Sequence, residues 1–447
     1  MNAPLVLDRY LAQHEAFARN GGKVAPEWLR VLRAGALARF TELGFPTTKL
    51  EAWRFTSVQP IAETAFAPAS EASGELPAGK SLERLELCEA RRHLAVFVNG
   101  RFVEALSSVT GLPAGVRVGS LAGALAREPE LVERHLARQA LLYDNAFAAL
   151  NTAFVHDGAF VYVPEGTVME EPVQLLFLSM PGAEPMVSHP RSLIVVERMA
   201  RASVVETYAG HGDGVYWTNA VTEVILGDGA RADCYRVQRE SEQAYHVATT
   251  QTRQGRDSVL SVHPVVLGAV LSRHDIGTVL DGPGGKCTLN GLYLLEGRQH
   301  ADHHTTIDHA QPHCESHEYF NGVLDGRSRG VFNGRIIVRK GAQRTDSKQT
   351  NNNLVLSEEA RADSQPQLEI YADDVKCTHG ATLGPIDEKA LFYLKSRGLS
   401  PNEAQGLLTY GFGAEILDRM EIAPLRVQLE RLVRARLLSR ARGRQAA

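Results

Sequence analysis

In "YADDVKCTHGATLG" (371–384) a thiol and an imidazole stand two residues apart, Cys377 and His379. Thiolate and imidazole suit a soft or borderline metal such as iron or zinc. If this stretch is a strand, the two side chains point the same way, with Cα atoms ~6.6–7 Å apart. That spacing fits a multi-iron unit more easily than one closed tetrahedral ion. An iron–sulfur cluster takes about four protein ligands, mostly thiolates, with histidine an occasional substitute. Two ligands on one chain therefore hold a cluster weakly unless another chain completes the set. The plainer explanation is a half-buried cysteine beside a hydrogen-bonded histidine.

A second concentration of potential ligands lies in "HADHHTTIDHAQPHCESHEYF" (300–320), with His300, His303, His304, His309, His313, Cys314 and His317. As a strand, 303–309 would put His303, Thr305, Ile307 and His309 on one face and His304, Thr306 and Asp308 on the other. His303, His304 and Cys314 are the metal-ligand candidates here, although the spacing matches no closed zinc motif. A polar strand face with histidines bonded to backbone or water explains the same residues. "LDGPGGKCTLNG" (280–291) resembles a phosphate loop and fails as one. Leu280 stands where the first glycine belongs, and Cys287 replaces the hydroxyl that would ligate magnesium. A turn between strands is expected there, with no nucleotide bound by this chain. No HExxH, nucleophile elbow or paired-carboxylate signature stands out. A carbohydrate-cleaving enzyme remains a distant alternative.

The elements that would carry these residues change character along the chain. Residues 8–40 have helical spacing, and Pro46 interrupts it in "GFPTTKLEAWRFT". Residues 62–79 are rich in Pro, Ala and Ser and read as a loop or linker. "AVFVNGRFV" (95–103) reads as a hairpin turning on Asn99-Gly100, and 119–150 return to helix. From about 155, short β-branched or aromatic runs follow: 159–163, 173–178, 192–197 and 220–226. Similar starts recur at Ala202, Ala230, Ser258, Lys286 and Cys314, 28 residues apart, and later at Ala342, Ala360 and Val375. Recurring short strands with few hairpin dipeptides favour a parallel β-helix, a solenoid whose rungs bury their apolar faces on one another. A sandwich or barrel is the competing architecture. After Gly384-Pro385, one helix ends near Gly398. "SPNE" (400–403) is a capping box opening another, with Ala404, Leu407, Leu408, Phe412, Ile416 and Leu417 on one broad face. The expected division is a mostly helical region with a hairpin (1–150), a β-helix core (151–385) and a C-terminal helical domain (386–447).

Of the 447 residues, 44% are hydrophobic and 22% charged, and the formal charge is -4. That is a soluble globular composition, and it argues against general binding of nucleic acid. Seven arginines beyond Pro424 (426, 431, 434, 436, 440, 442 and 444) read first as a solvated helix face. Cys88, Cys234, Cys287, Cys314 and Cys377 are odd in number and scattered, which suits a reducing compartment rather than a disulfide framework. The first residues read as neither a signal peptide nor a membrane span, so a cytoplasmic protein with no membrane partner is expected.

"NGRIIVRKGAQRTDSKQTNNNLVLSEEARADSQPQLEIYADDVKCTHGATLG" (333–384) resembles the SufB/SufD family of iron–sulfur cluster assembly proteins. The similarity runs through "PTTKLEAWRFT", "FVNGRFV", "VPEGTVMEEPVQLLFLS" and "HHTTIDHAQPHCESHEYFNGVLDGRSRGVFNGRI". The SufB-type cysteine of the strand matching "KQTNNNLVL" is replaced here by Asn351, and the SufB-type glutamate after the histidine by Gly380. "KCTHGAT" is intact, so the chain sides with the other paralogue. The resemblance implies a right-handed parallel β-helix between helical ends. It also implies pairing with a SufB-type paralogue through that β-helix, and docking of the ABC-type ATPase SufC on the C-terminal helices. On this sequence the docking residues would be Leu391, Phe392, Leu394, Leu407, Leu408 and Phe412. His379 would be the iron or cluster ligand at the seam, Cys377 an accessory, and the transient cluster would be shared with SufB. The chain itself would be a non-catalytic scaffold. The alternative is a free-standing His-rich metalloprotein or metalloenzyme using the 300–317 histidines.

Overall fold

A computed structural model describes residues 3–20, 25–69, 76, 93–138, 144–212 and 214–443. Cys88, Arg444 and half of the 62–79 stretch lie outside them. Within them the chain winds into a parallel β-solenoid of about 7 turns. Each rung gives one strand to each of two eleven-stranded sheets, and from Arg191–Val196 onward strands pair with the next-but-one in sequence. One sheet runs through Val173–Ser179, Arg201–Gly210, Arg231–Arg239, Val259–Val266, Lys286–Leu295, Glu315–Leu324, Thr345–Val355 and Val375–Gly384. The other runs through Ala159–Val163, Arg191–Val196, Tyr216–Leu226, Ala244–Gln254, Leu271–Leu280, His300–His309, Arg329–Val338 and Arg361–Ile370. The pairing is parallel and in register from rung to rung, which decides against the sandwich.

Because neighbouring strands lie ~4.8 Å apart in register, side chains stack in columns along the solenoid axis. In the early rungs the inward columns are apolar: Phe97, Phe177 and Tyr208 stack with centroids 4.7 and 4.8 Å apart. The corners are as tight as the stacks. A Cβ on Gly282 would sit 2.1 Å from the Arg256 backbone nitrogen of the corner beneath. The glycines of "LDGPGGK" thus serve close rung stacking, and the stretch is the turn between Leu271–Leu280 and Lys286–Leu295.

The two ends of the solenoid differ. At the start, His93–Val98 pairs parallel with Val173–Ser179 and turns back on itself through Arg101–Phe102. Asn99 and Gly100 both have positive φ, 52° and 81°, as the expected hairpin turn requires. Arg117–Ser120 closes the other sheet antiparallel to Ala159–Val163. These strands fall within the region expected to be mostly helical, whose last part resolves into the helices Leu121–Arg127, Pro129–His135 and Ala146–Ala153. Part of the expected linker is also structured: the helix Gln59–Glu63 leads to Ala67–Pro68, which pairs with Met186–Val187. At the far end, Val375–Gly384 and Arg361–Ile370 are terminal in their sheets, and among the described residues no further rung follows.

Helices cover one outer face each. Phe147, Leu150 and Phe154 pack with Trp217, Val247 and Leu271 on the outside of the second sheet. Ile416, Leu417, Leu425, Leu429 and Val433 pack with Val205, Val237, Val265 and Leu292 on the outside of the first. The capping box is formed, with Ser400 and Glu403 bonded reciprocally. The broad face expected on this helix is divided, however. Ala404, Ile416 and Leu417 are buried, whereas Leu407 is 51% exposed. The expected arginine stripe is only partly solvated: Arg436 pairs with Glu296 at 2.8 Å and Arg434 lies over Tyr410. Among the described residues no helix is long and apolar enough to cross a membrane.

Candidate functional site at the open end of the solenoid

The last strand places Cys377 and His379 in register above Ser347 and Gln349. Ser347 and Gln349 are buried inward residues, flanked by the exposed Asp346 and Lys348, so Cys377 and His379 continue inward-facing columns. Cys377 packs beside Leu368 and Val375 against Ile336, Val338 and Ala342. Its thiol is half-buried, and burial, helped by the Asp346 charge, raises its pKa. In the isolated chain it is therefore a protonated thiol. His379 is exposed, because no rung covers it.

Beneath this mouth the interior changes from apolar to polar. One column reads Cys287, Ser316, Ser347, Cys377 and the next Leu289, Glu318, Gln349, His379. Gln349 Nε2 donates to Glu318 Oε2, while Gln349 Oε1 and Glu318 Oε1 are buried without partners. Burial pushes the Glu318 carboxyl up to about 7 against the opposing effect of the Gln349 amide. Ser316 bridges His309 Nε2 and Ser347 Oγ, 2.8 Å from each. A little further along, Tyr293 donates to Asn353 at 2.5 Å, and Asn351 donates to Tyr293 at 3.2 Å. Asn351, which occupies the SufB-type cysteine position, is thus a buried hydrogen-bonding residue.

The histidine-rich strand separates its members as its alternation required. His303, Thr305, Ile307 and His309 face inward, and His304, Thr306 and Asp308 outward. His303 is buried, stacked on Tyr293 at 5.2 Å, with neither ring nitrogen bonded. Burial pulls its pKa down to about 4, so the imidazole is neutral. His304 instead pairs with Asp302 at 3.0 Å on the outer face. Cys314 is buried in a corner, its thiol donating to the Gly282 carbonyl at 3.4 Å. His303, His304 and Cys314 therefore do not share one ligand set, because adjacent strand residues point to opposite faces and Cys314 belongs to a turn. Among the described residues no three His, Cys, Asp or Glu side chains converge to hold a metal ion.

The outward members have a different task. Thr56 Oγ1 donates to Asp302 Oδ2 at 2.5 Å and lies 2.8 Å from His300 Nε2. Arg273 donates to the same carboxylate oxygen at 2.7 Å, to the Ala52 carbonyl at 2.8 Å, and stacks 3.6 Å over Trp53. "EAWRFT" is thereby clamped onto the solenoid through His300, Asp302 and Arg273. Of the docking residues that the resemblance implies, Phe392 is 72% exposed, and Leu407 is exposed as well, as is Tyr393 beside Phe392. Leu391, Leu394 and Leu408 are half-buried, and Phe412 packs partly against the helix–solenoid core. Glu318 and Gln349 were not singled out in the sequence. Only the rung offset that brings 318 and 349 beneath 379 would have marked them.

Fold and site together define a non-repeating-motif β-solenoid with one finished and one unfinished end, the latter carrying a partial set of metal-type donors. The chain belongs to the SufBD family: residues 178–412 match the model described as "SUF system FeS cluster assembly, SufBD core domain" and residues 7–175 the "SufBD protein N-terminal region". It is 34% identical to a SufBD family iron–sulfur cluster assembly protein of Synechocystis over 91% of this chain and 90% of that one. It is 29% identical to the iron–sulfur cluster assembly protein SufD of Escherichia coli over 96% and 97% of the two chains. To SufD of Bacillus subtilis it is 28% identical over 90% and 93%. These names agree with the assignment away from SufB made on Asn351 and Gly380, and they put the chain among proteins of iron–sulfur cluster assembly.

Proposed function

We propose that this chain is the SufD-type scaffold subunit of a cytoplasmic SufB–SufC–SufD complex, and that it helps to receive iron or a nascent cluster at its seam with SufB. The observation that carries the reading is the open end: both sheets stop at unpaired edge strands, and one of them presents Cys377 and His379. An edge strand with free N–H and C=O groups is a template for a strand from another chain. Such a partner would bring the remaining donors, since one imidazole and one protonated thiol do not complete a cluster's shell. The cargo is a substrate passing through the seam. Cys377 becomes a ligand only when metal displaces its proton. The chain contributes no hydrolytic machinery of its own to this reading; ATP turnover belongs to SufC, seated on the surface formed by Phe392 and Leu407 with Leu391, Leu394, Leu408 and Phe412. The free-standing metalloenzyme is not favoured, because its histidines are divided between two faces and His300 is engaged with Thr56 of the N-terminal segment.

His379→Ala tests the reading. The variant should fold and join its partners as before, while cluster formation on the reconstituted complex falls about tenfold or more, the usual scale of loss when a metal site loses part of its shell. Undiminished cluster formation would refute His379 as the ligand.

A further inference from the structure

We infer that Gln349 is a positioning residue for His379: its side-chain carbonyl accepts a hydrogen bond from the imidazole and so fixes which ring nitrogen is left free for a metal. The inference rests on the reading of His379 as a ligand for its purpose, though not for its geometry. Gln349 lies one rung beneath His379 in the same inward column, and its side chain is 1% exposed. Its amide nitrogen is committed downward to Glu318, in the rung below. With the nitrogen on Glu318, the planar amide turns Oε1 away from that carboxylate. That oxygen is buried and has no partner. A buried acceptor left without a donor is destabilising.

The neighbouring inward positions 351, 334 and 366 offer this oxygen no hydrogen. Asn351, the next inward residue on the strand, spends its amide hydrogens on Tyr293 Oη and the Phe320 carbonyl. On the opposite sheet Gly334 leaves space for the amide: a Cβ there would stand 2.1 Å from Gln349 Nε2. Above Gly334 comes Pro366, whose side chain has no hydrogen to donate. Above Gln349 comes His379, which does.

The consequence is preorganisation. A ligating histidine commonly donates its second ring N–H to a carbonyl or carboxylate, which selects the tautomer and aims the lone pair. Here the carbonyl sits inside the solenoid, so the free nitrogen faces out of the mouth toward the seam. Glu318 completes the arrangement by holding the amide the right way round. The Glu318 carboxylate can only accept, and so it keeps the Gln349 nitrogen turned toward it.

The test uses the full chain with 15N-labelled histidine, the His379 signals being those lost in His379→Ala. In the wild type the neutral His379 ring should show an excess of one tautomer of about five- to tenfold, the bias of one ordinary hydrogen bond. Gln349→Leu should bring the two tautomers toward equality. The exchanged pair Glu318→Gln/Gln349→Glu retains a donor below and an acceptor above, and should restore the bias. An unchanged tautomer ratio in Gln349→Leu overturns the inference. If that variant does not fold, the exchanged pair decides alone, and an even mixture in it overturns the inference. The readout needs neither partner nor iron, so it fails or succeeds separately from the cluster-forming assay of His379→Ala.

Discussion

Glu318 is an acid in an interior that does not want its charge, and its consequence for stability has a definite sign. Burial raises its folded pKa from 4.5 to about 7, so the native state holds a proton that the unfolded chain releases over the same range. The contribution to stability is full below the unfolded value and is lost as pH rises through about 7. The shift corresponds to about 3 kcal/mol. Glu318→Gln removes the titration and keeps a partner for Gln349. Between pH 4.5 and pH 8 the variant should therefore gain about 2–3 kcal/mol on the wild type, read from urea or thermal unfolding of both at each pH. A constant difference would mean that the carboxyl is hydrated in the folded protein. His303, one column away, shows the other outcome of burial. Its imidazole is held neutral and stacked on Tyr293, which fits a packing residue better than a ligand.

At the scale of the strand, legibility followed chemistry. The 28-residue recurrence at Ala202, Ala230, Ser258, Lys286 and Cys314 marks the strands of one sheet to within a residue, because each of them starts on a small or polar corner and runs into apolar inward positions. The intervening strands Ala244–Gln254 and His300–His309 carry Thr, Gln and His on their inward faces, so alternation of hydrophobicity gave no signal for a second strand per rung. For the same reason the polar column beneath His379 was invisible: a Glu and a Gln in a strand read as solvent-facing until the register stacks them. The Cys377–His379 pair was legible from its spacing, since on a strand period two puts both on one face. The edge strand that bears them also carries the exposed Leu383, at 61%, and the other sheet's edge strand ends on the exposed Ile370, with Tyr371 next, at 40% and 62%. On the seam reading these are covered by the paralogue. Leu383→Asp should leave the chain's own unfolding within about 0.5 kcal/mol, as for a substitution on an open surface. Its affinity for the SufB-type partner should fall at least about tenfold, because a central apolar contact becomes a buried charge. Equal affinity, measured by titration calorimetry, would place the seam elsewhere.

Across the whole molecule, each covering of the solenoid leaves a different surface free. The N-terminal segment is spent on clamping, with Trp53, Thr56 and Ala52 held by Arg273, Asp302 and His300. The start of both sheets is closed by antiparallel strands. The C-terminal helices are spent only on one side. Leu425, Leu429 and Val433 bury themselves on the first sheet, while Phe392, Tyr393 and Leu407 stay exposed on the helices that precede them. The helix Glu388–Ser396 begins four residues after the edge strand ends at Gly384, so the free apolar surface and the open mouth are neighbours in the chain yet chemically distinct. A surface for an ATPase and a seam for a paralogue should then be separable by mutation. Phe392→Ala combined with Leu407→Ala removes two exposed apolar side chains and no buried packing. The doubly substituted chain should keep its thermal stability and co-purify with the SufB-type partner at wild-type yield, while retention of the SufC ATPase falls about tenfold or more, as for loss of clustered apolar anchors. Undiminished ATPase in the purified complex would move the docking surface off these helices, and joint loss of both partners would mean that one interface depends on the other.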